Sequence, residues 1–214
     1  MKRKLAIGLS LTSAIFLIAC DSDGIETFEE TVNELEETKE RTVEELNYML
    51  QEEAELQNHF DETLESDDDL SSFGDGSSPV FSNLSDRRER VEQLTELEEE
   101  YASHAEELND YEGEELDTVE IENLVREANQ VSESLATIRE DYTQSIDDQE
   151  NYFEELAEED ATYDTFSDGI SELNNQHEEM RNHFYGLDEE LSNLAQALEE
   201  VQQSIQETQS EGEE

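Results

Sequence analysis

Between Phe166 and Ile205 one stripe recurs at steps that alternate four and three residues. It runs Phe166, Ile170, Leu173, His177, Met180, Phe184, Leu187, Leu191, Leu194, Leu198, Val201 and Ile205, with His177 its one polar member. A strand turns its side chains over at every residue and cannot hold such a stripe on one face, whereas a helix can. The mean step of 3.5 residues predicts a left-handed, coiled-coil-like seam. Forty helical residues span about 60 Å at 1.5 Å per residue.

Three earlier stretches carry the same pattern. From Ile25 to Leu64 the apolar positions are Ile25, Phe28, Val32, Leu35, Leu46, Met49, Leu56 and Phe60. Lys39, Thr42 and Glu53 are polar entries in this stripe, and Val43, Leu50 and Leu64 broaden it. A second helix is expected from about Leu84 to Tyr111, opened by Asp86 and Glu89 as an aspartate variant of the capping box. A third follows Asp117-Thr118-Val119-Glu120 and runs from Ile121 to Leu156, with Ser145 and Gln149 as polar seam residues that fix register. Between the first two helices, residues 66–83 hold Asp67-Asp68-Asp69, several Gly and Ser residues and the single Pro79, which predicts a loop. Glu158 to Thr165 reads as a turn, with Thr162 or Thr165 capping the last helix, and residues 209–214 as an acidic, fraying tail. The expected fold is all-α: an elongated antiparallel bundle of three to four long helices over residues 25–208. The last two helices are expected to form its firmest hairpin.

Charge limits what such a bundle can bind. The chain holds 63 acidic and 11 basic residues, for a net charge of −52. With no basic stripe, nucleic-acid binding is excluded, as is electrostatic docking to anionic lipid. Self-repulsion at this density destabilises a compact state in dilute buffer, and molar salt relieves it by shortening the screening length to roughly 3 Å. The acid excess therefore reads as a solvated surface adapted to salt. After the first four residues the basic residues cluster only at Arg87, Arg88 and Arg90. They are expected to pair with surrounding acids, and they are also the candidate contacts for an anionic wall polymer or an envelope partner.

The first twenty residues have a different character. Met1-Lys2-Arg3-Lys4 is basic, and Leu5 to Ala19 carries no charge, as in the two regions of a signal peptide. The run is too short for an ordinary transmembrane helix. It ends at Leu17-Ile18-Ala19-Cys20, which resembles the bacterial lipobox, and Cys20 is the only cysteine. This reading makes residues 1–19 a cleaved leader, Cys20 the diacylglyceryl-modified first residue, and residues 20–24 a short tether. Two acyl chains hold a protein stably on a membrane. The expected location is the outer face of the cytoplasmic membrane, facing the wall.

No catalytic site is read from the remainder. His177 and His183 are six residues apart and do not share a helical face, and no HExxH, Walker, GxGxxG or GxSxG motif occurs. An EF-hand loop starting at Asp67 would need Gly and Glu where Ser72 and Ser78 stand. No metal or cofactor is assigned, and the chain reads as a non-enzyme.

Taken together, the lipobox leader and the long helices resemble the YkyA-like family of lipoproteins of Gram-positive bacteria, named for a proposed wall-binding role. The resemblance is most specific over Leu116 to Tyr142, Tyr152-Phe153-Glu154-Glu155-Leu156, the turn Asp160-Ala161-Thr162, and Ile170 to Phe184. It covers essentially all of the chain after the leader. This chain is poorer in lysine than that family, and its Gly74 to Pro79 loop looks like an insertion. The resemblance implies an envelope protein that binds wall material. Alternatives are a solute-binding or transport-accessory lipoprotein and a coiled-coil scaffold for another envelope protein.

Overall fold

The computed structural model describes residues 22–212, with side chains for residues 24–210. The leader, Leu17, Ile18, Ala19 and Cys20 lie outside the described residues. Four long helices and one short one follow in order: α1 Ser22–Ser66, α2 Ser71–Gly74, α3 Pro79–Asn109, α4 Thr118–Glu155 and α5 Tyr163–Gly212. Among the described residues there is no strand, and no helix is long and apolar enough to cross a membrane.

The long helices run alternately up and down. Thr31 meets Glu107 and Thr38 meets Glu100, so α1 and α3 are antiparallel. Ser204 meets Glu120, and Gln176 meets Asp148, so α4 and α5 are too. Gln209 donates to Glu29 and Gln202 to Glu36, closing the ring between α5 and α1. At one end lie the start of α1, the α3–α4 junction and the end of α5. At the other, about 68 Å away along the 45-residue α1, lie residues 67–78 and the α4–α5 turn.

The core is the narrow seam that the stripes predict. Leu35, Met49, Leu84, Leu94, Leu124, Leu135, Leu187 and Leu194 are all buried in it. Three expectations need correction. First, residues 66–83 are mostly ordered into helix. Asp67 and Asp69 accept backbone N–H bonds from Ser72 and Ser71, which sets up the single turn of α2. That turn buries Phe73, whose ring lies 5.6 Å from Phe153 and 5.8 Å from Phe60. Gly76, at φ 73°, adopts the left-handed conformation that a glycine reaches without steric cost.

Second, α3 begins at Pro79 rather than near Leu84. The Ser78 side chain accepts from Val80 N, and proline suits the first helical position because its missing N–H would have no intrahelical partner. Third, the most extensive pairing is α3 with α4, not α4 with α5. The first buried residue of α5 is Met180; Phe166, Ile170 and Leu173 are only half-buried. Val43, Leu50 and Leu64 share a heptad position with Glu29 and Glu36, yet they remain 43%, 41% and 37% exposed. The seam between α1 and α5 is thus closed by hydrogen bonds near Ser22 and looser toward the other end.

Candidate functional site

Polar residues scattered through the four stripes meet at one level of the bundle. Arg87 on α3 is fully buried. Its Nε donates to Tyr142 OH at 2.9 Å and its Nη1 to Gln149 Oε1 at 2.6 Å. Its Nη2 lies 3.7 Å from Glu53 Oε1 and makes no hydrogen bond. The guanidinium also sits 4.8 Å from the centre of the Tyr142 ring, a cation–π contact. Gln149 donates to Ser145 Oγ, and Ser145 donates onward to Gln176 of α5. His177 Nδ1 lies 3.4 Å from the same Glu53 oxygen. Burial pushes the Tyr142 hydroxyl up to about 12, against the pull of the Arg87 charge, so it stays a neutral partner near neutrality. Each long helix contributes to this layer, and its members can satisfy one another only in one axial register.

This placement corrects the reading of Arg87 as a surface contact, while Arg88 and Arg90 pair with acids as expected. Arg87 is withdrawn from solvent and cannot touch a polymer. Arg88 turns toward α4, where its Nη2 lies 2.7 Å from both Asp147 and Glu150. Arg90 turns toward α1, pairing with Glu45 at 3.4 Å and covering the Tyr48 ring at 3.8 Å. Arg87 points into the core between α1 and α4, Arg88 lies over α4 and Arg90 over α1, so the three form no basic patch. The sequence does hold a signal for the burial of Arg87: the α3 stripe jumps seven residues from Leu84 to Val91, and Arg87 fills the missing 3-4 step.

A surface groove of about 950 Å³ runs between α4 and α5 at the end remote from Ser22. Asp148, Glu155, Asp164, Asp168 and Glu172 line it, with Tyr152 at its floor. Its shape follows from local structure. Thr162 and Thr165 bond each other's backbone N–H, opening α5. Gly169 has no side chain, so the Tyr152 ring packs directly against the α5 backbone, and the Tyr152 hydroxyl donates to Phe166 O at 3.2 Å. Burial pushes that hydroxyl up to about 12. The groove offers carboxylates, amides and hydroxyls to a hydrated ligand. It holds no cationic side chain, so an anionic polymer could bind there only through bridging cations. Sequence reasoning did not find it, because its carboxylates cannot be told apart from the chain's other acids.

No curated protein and no solved structure matches this chain. A family described as "putative cell-wall binding lipoprotein" matches residues 23–204, nearly all of the described helical bundle. The chain belongs to this family, YkyA.

Proposed function

We propose that the protein is a non-catalytic envelope lipoprotein, held on the outer face of the cytoplasmic membrane through lipidated Cys20, that contacts wall polymer with the far end of its bundle. The observation that carries this reading is the position of the acidic groove. It lies at the end of the rod remote from Ser22, where α1 begins two residues after Cys20. A tether at Cys20 therefore turns the groove toward the wall. Divalent cations link its carboxylates to anionic groups of the polymer, which reconciles wall binding with the charge of the chain. Arg88 and Arg90, already paired with carboxylates, are secondary contacts in this reading.

The test is co-sedimentation of the protein with purified cell wall in molar salt, with and without Mg²⁺. Saturable binding that requires Mg²⁺, and that is lost in Asp164→Asn/Asp168→Asn/Glu172→Gln, is the expected result. The paired variant Arg88→Gln/Arg90→Gln should retain most of it. Absence of binding in every condition refutes the reading. The second reading, a scaffold for another helical protein, is favoured by the exposed apolar positions Val43, Leu50 and Leu64. Crosslinking from these positions in intact cells tests it. A solute receptor built on an α/β cleft finds no support in a bundle without strands among its described residues.

A further inference from the structure

Near the Ser22 end, the α1–α3 interface brings together one imidazole and two carboxylates. Glu34, His104 and Glu107 each offer a ligand atom, and these atoms lie within 4.8 Å of one another. Glu34 and Glu107 are exposed, and His104 is partly buried between them. The two ring nitrogens have different surroundings. Nε2 lies 3.3 Å from Thr38 Oγ1, while Nδ1 is buried without a hydrogen-bond partner. The Thr38 hydroxyl already has acceptors for its own proton in Glu34 O at 3.0 Å and Glu100 at 3.2 Å. Its oxygen therefore receives Nε2–H. That assignment fixes the tautomer and leaves the Nδ1 lone pair unused. A histidine held through one nitrogen with the other lone pair free is the arrangement that metal-binding histidines adopt. Thr31 in turn donates to Glu107 Oε2 at 3.3 Å, orienting the second carboxylate. Glu107 and Thr31 also line a neighbouring pocket of about 590 Å³.

We propose that Glu34, His104 and Glu107 form a binding site for a divalent ion of the zinc class, clamping α1 to α3. The mixed nitrogen and oxygen donors select this class over Mg²⁺ and Ca²⁺, which prefer all-oxygen shells. Three protein ligands leave a fourth position for water. The surrounding acidic surface raises the local concentration of every cation, so selectivity rests on the imidazole. The site is independent of the acidic groove, which lies at the other end of the rod.

The experiment is calorimetric titration of Zn²⁺ into the full-length protein in detergent. The protein carries no polyhistidine tag, has been stripped with chelator, and is held in molar NaCl with excess Mg²⁺ to occupy the acidic surface. One saturable Zn²⁺ site per chain is expected, with a rise in melting temperature. His104→Ala should abolish the site, and Glu34→Gln and Glu107→Gln should each weaken it about 10-fold or more. The two glutamates are exposed, so their variants keep the fold and decide the matter even if His104→Ala melts early. No saturable Zn²⁺ binding under these conditions overturns the proposal. So does a site that both glutamine variants leave at full affinity.

Discussion

Replacing Arg87 by Met tests the account of the buried layer most directly. Methionine fills much of the same volume without charge. The change removes the donors to Tyr142 and Gln149 and leaves the Glu53 carboxylate, 8% exposed, without its cation. Breaking a buried pair by deleting one partner costs about 3–5 kcal/mol. The low end applies here for two reasons. The Arg87–Glu53 contact is long at 3.7 Å, and Glu53 retains His177 at 3.4 Å. The expected loss is therefore about 3 kcal/mol. With a urea slope of about 2 kcal/mol/M, the unfolding midpoint, followed by circular dichroism in molar NaCl, should fall by about 1.5 M. The double variant Glu53→Leu/Arg87→Met should recover to within about 1 kcal/mol of the parent or exceed it, because the stranded carboxylate is gone. A single-variant loss below about 0.5 kcal/mol would refute the reasoning. So would a double variant whose loss equals the sum of the two single losses.

Two further outcomes follow from local geometry. A Cβ at Gly169 would run into the Tyr152 ring. Gly169→Ala should therefore cost about 1–3 kcal/mol, although alanine in an open helical position would gain about 1; a rise in melting temperature would contradict the close approach. The second concerns Asp67. The nearby Ser72 side chain and the hydrogen bond from Ser72 N–H hold its carboxyl down to about 2, against an ordinary 3.8. Because the folded value is depressed, its contribution to holding the α2 turn is complete above about pH 3.8 and lost as pH falls through about 2. A carboxyl-carbon NMR titration of Asp67 should show this low midpoint, with the Ser72 amide shifting in step. A midpoint near 3.8 would exclude the cap.

Helix type and number were legible because stripes of forty residues leave little freedom, and the Asp117 cap of α4 was written in the chain. The start of α3 was misread for a specific reason. Pro79 among Gly and Ser residues reads as loop, yet after Ser78 it occupies the position at which a helix accepts proline. The tail read as fraying extends as helix to Gly212, with Gln209 tied to Glu29 across the α1–α5 seam, a contact 180 residues distant in sequence. Ser145 and Gln149 were read as polar seam residues that fix register. Their partner Arg87 reads as a surface residue only because Arg88 and Arg90 beside it form a basic run, whereas it is buried. Glu34 and Glu107 carry no signal among so many acids, and only the pairing of α1 with α3 sets them around His104.

The antiparallel arrangement has a mechanical consequence. A pull applied between Ser22 and the α4–α5 turn acts along the helix axes, because these points lie at opposite ends of the rod. Such a load shears α1 along its neighbours, so its contacts with α3 and α5 resist together instead of yielding one after another as they would in peeling. The layer around Arg87 lies across that sliding direction. Moving α1 by one turn, about 5.4 Å, would separate Glu53 from both Arg87 and His177. The buried charges thus act as a detent against axial slip, a property suited to a strut under tension.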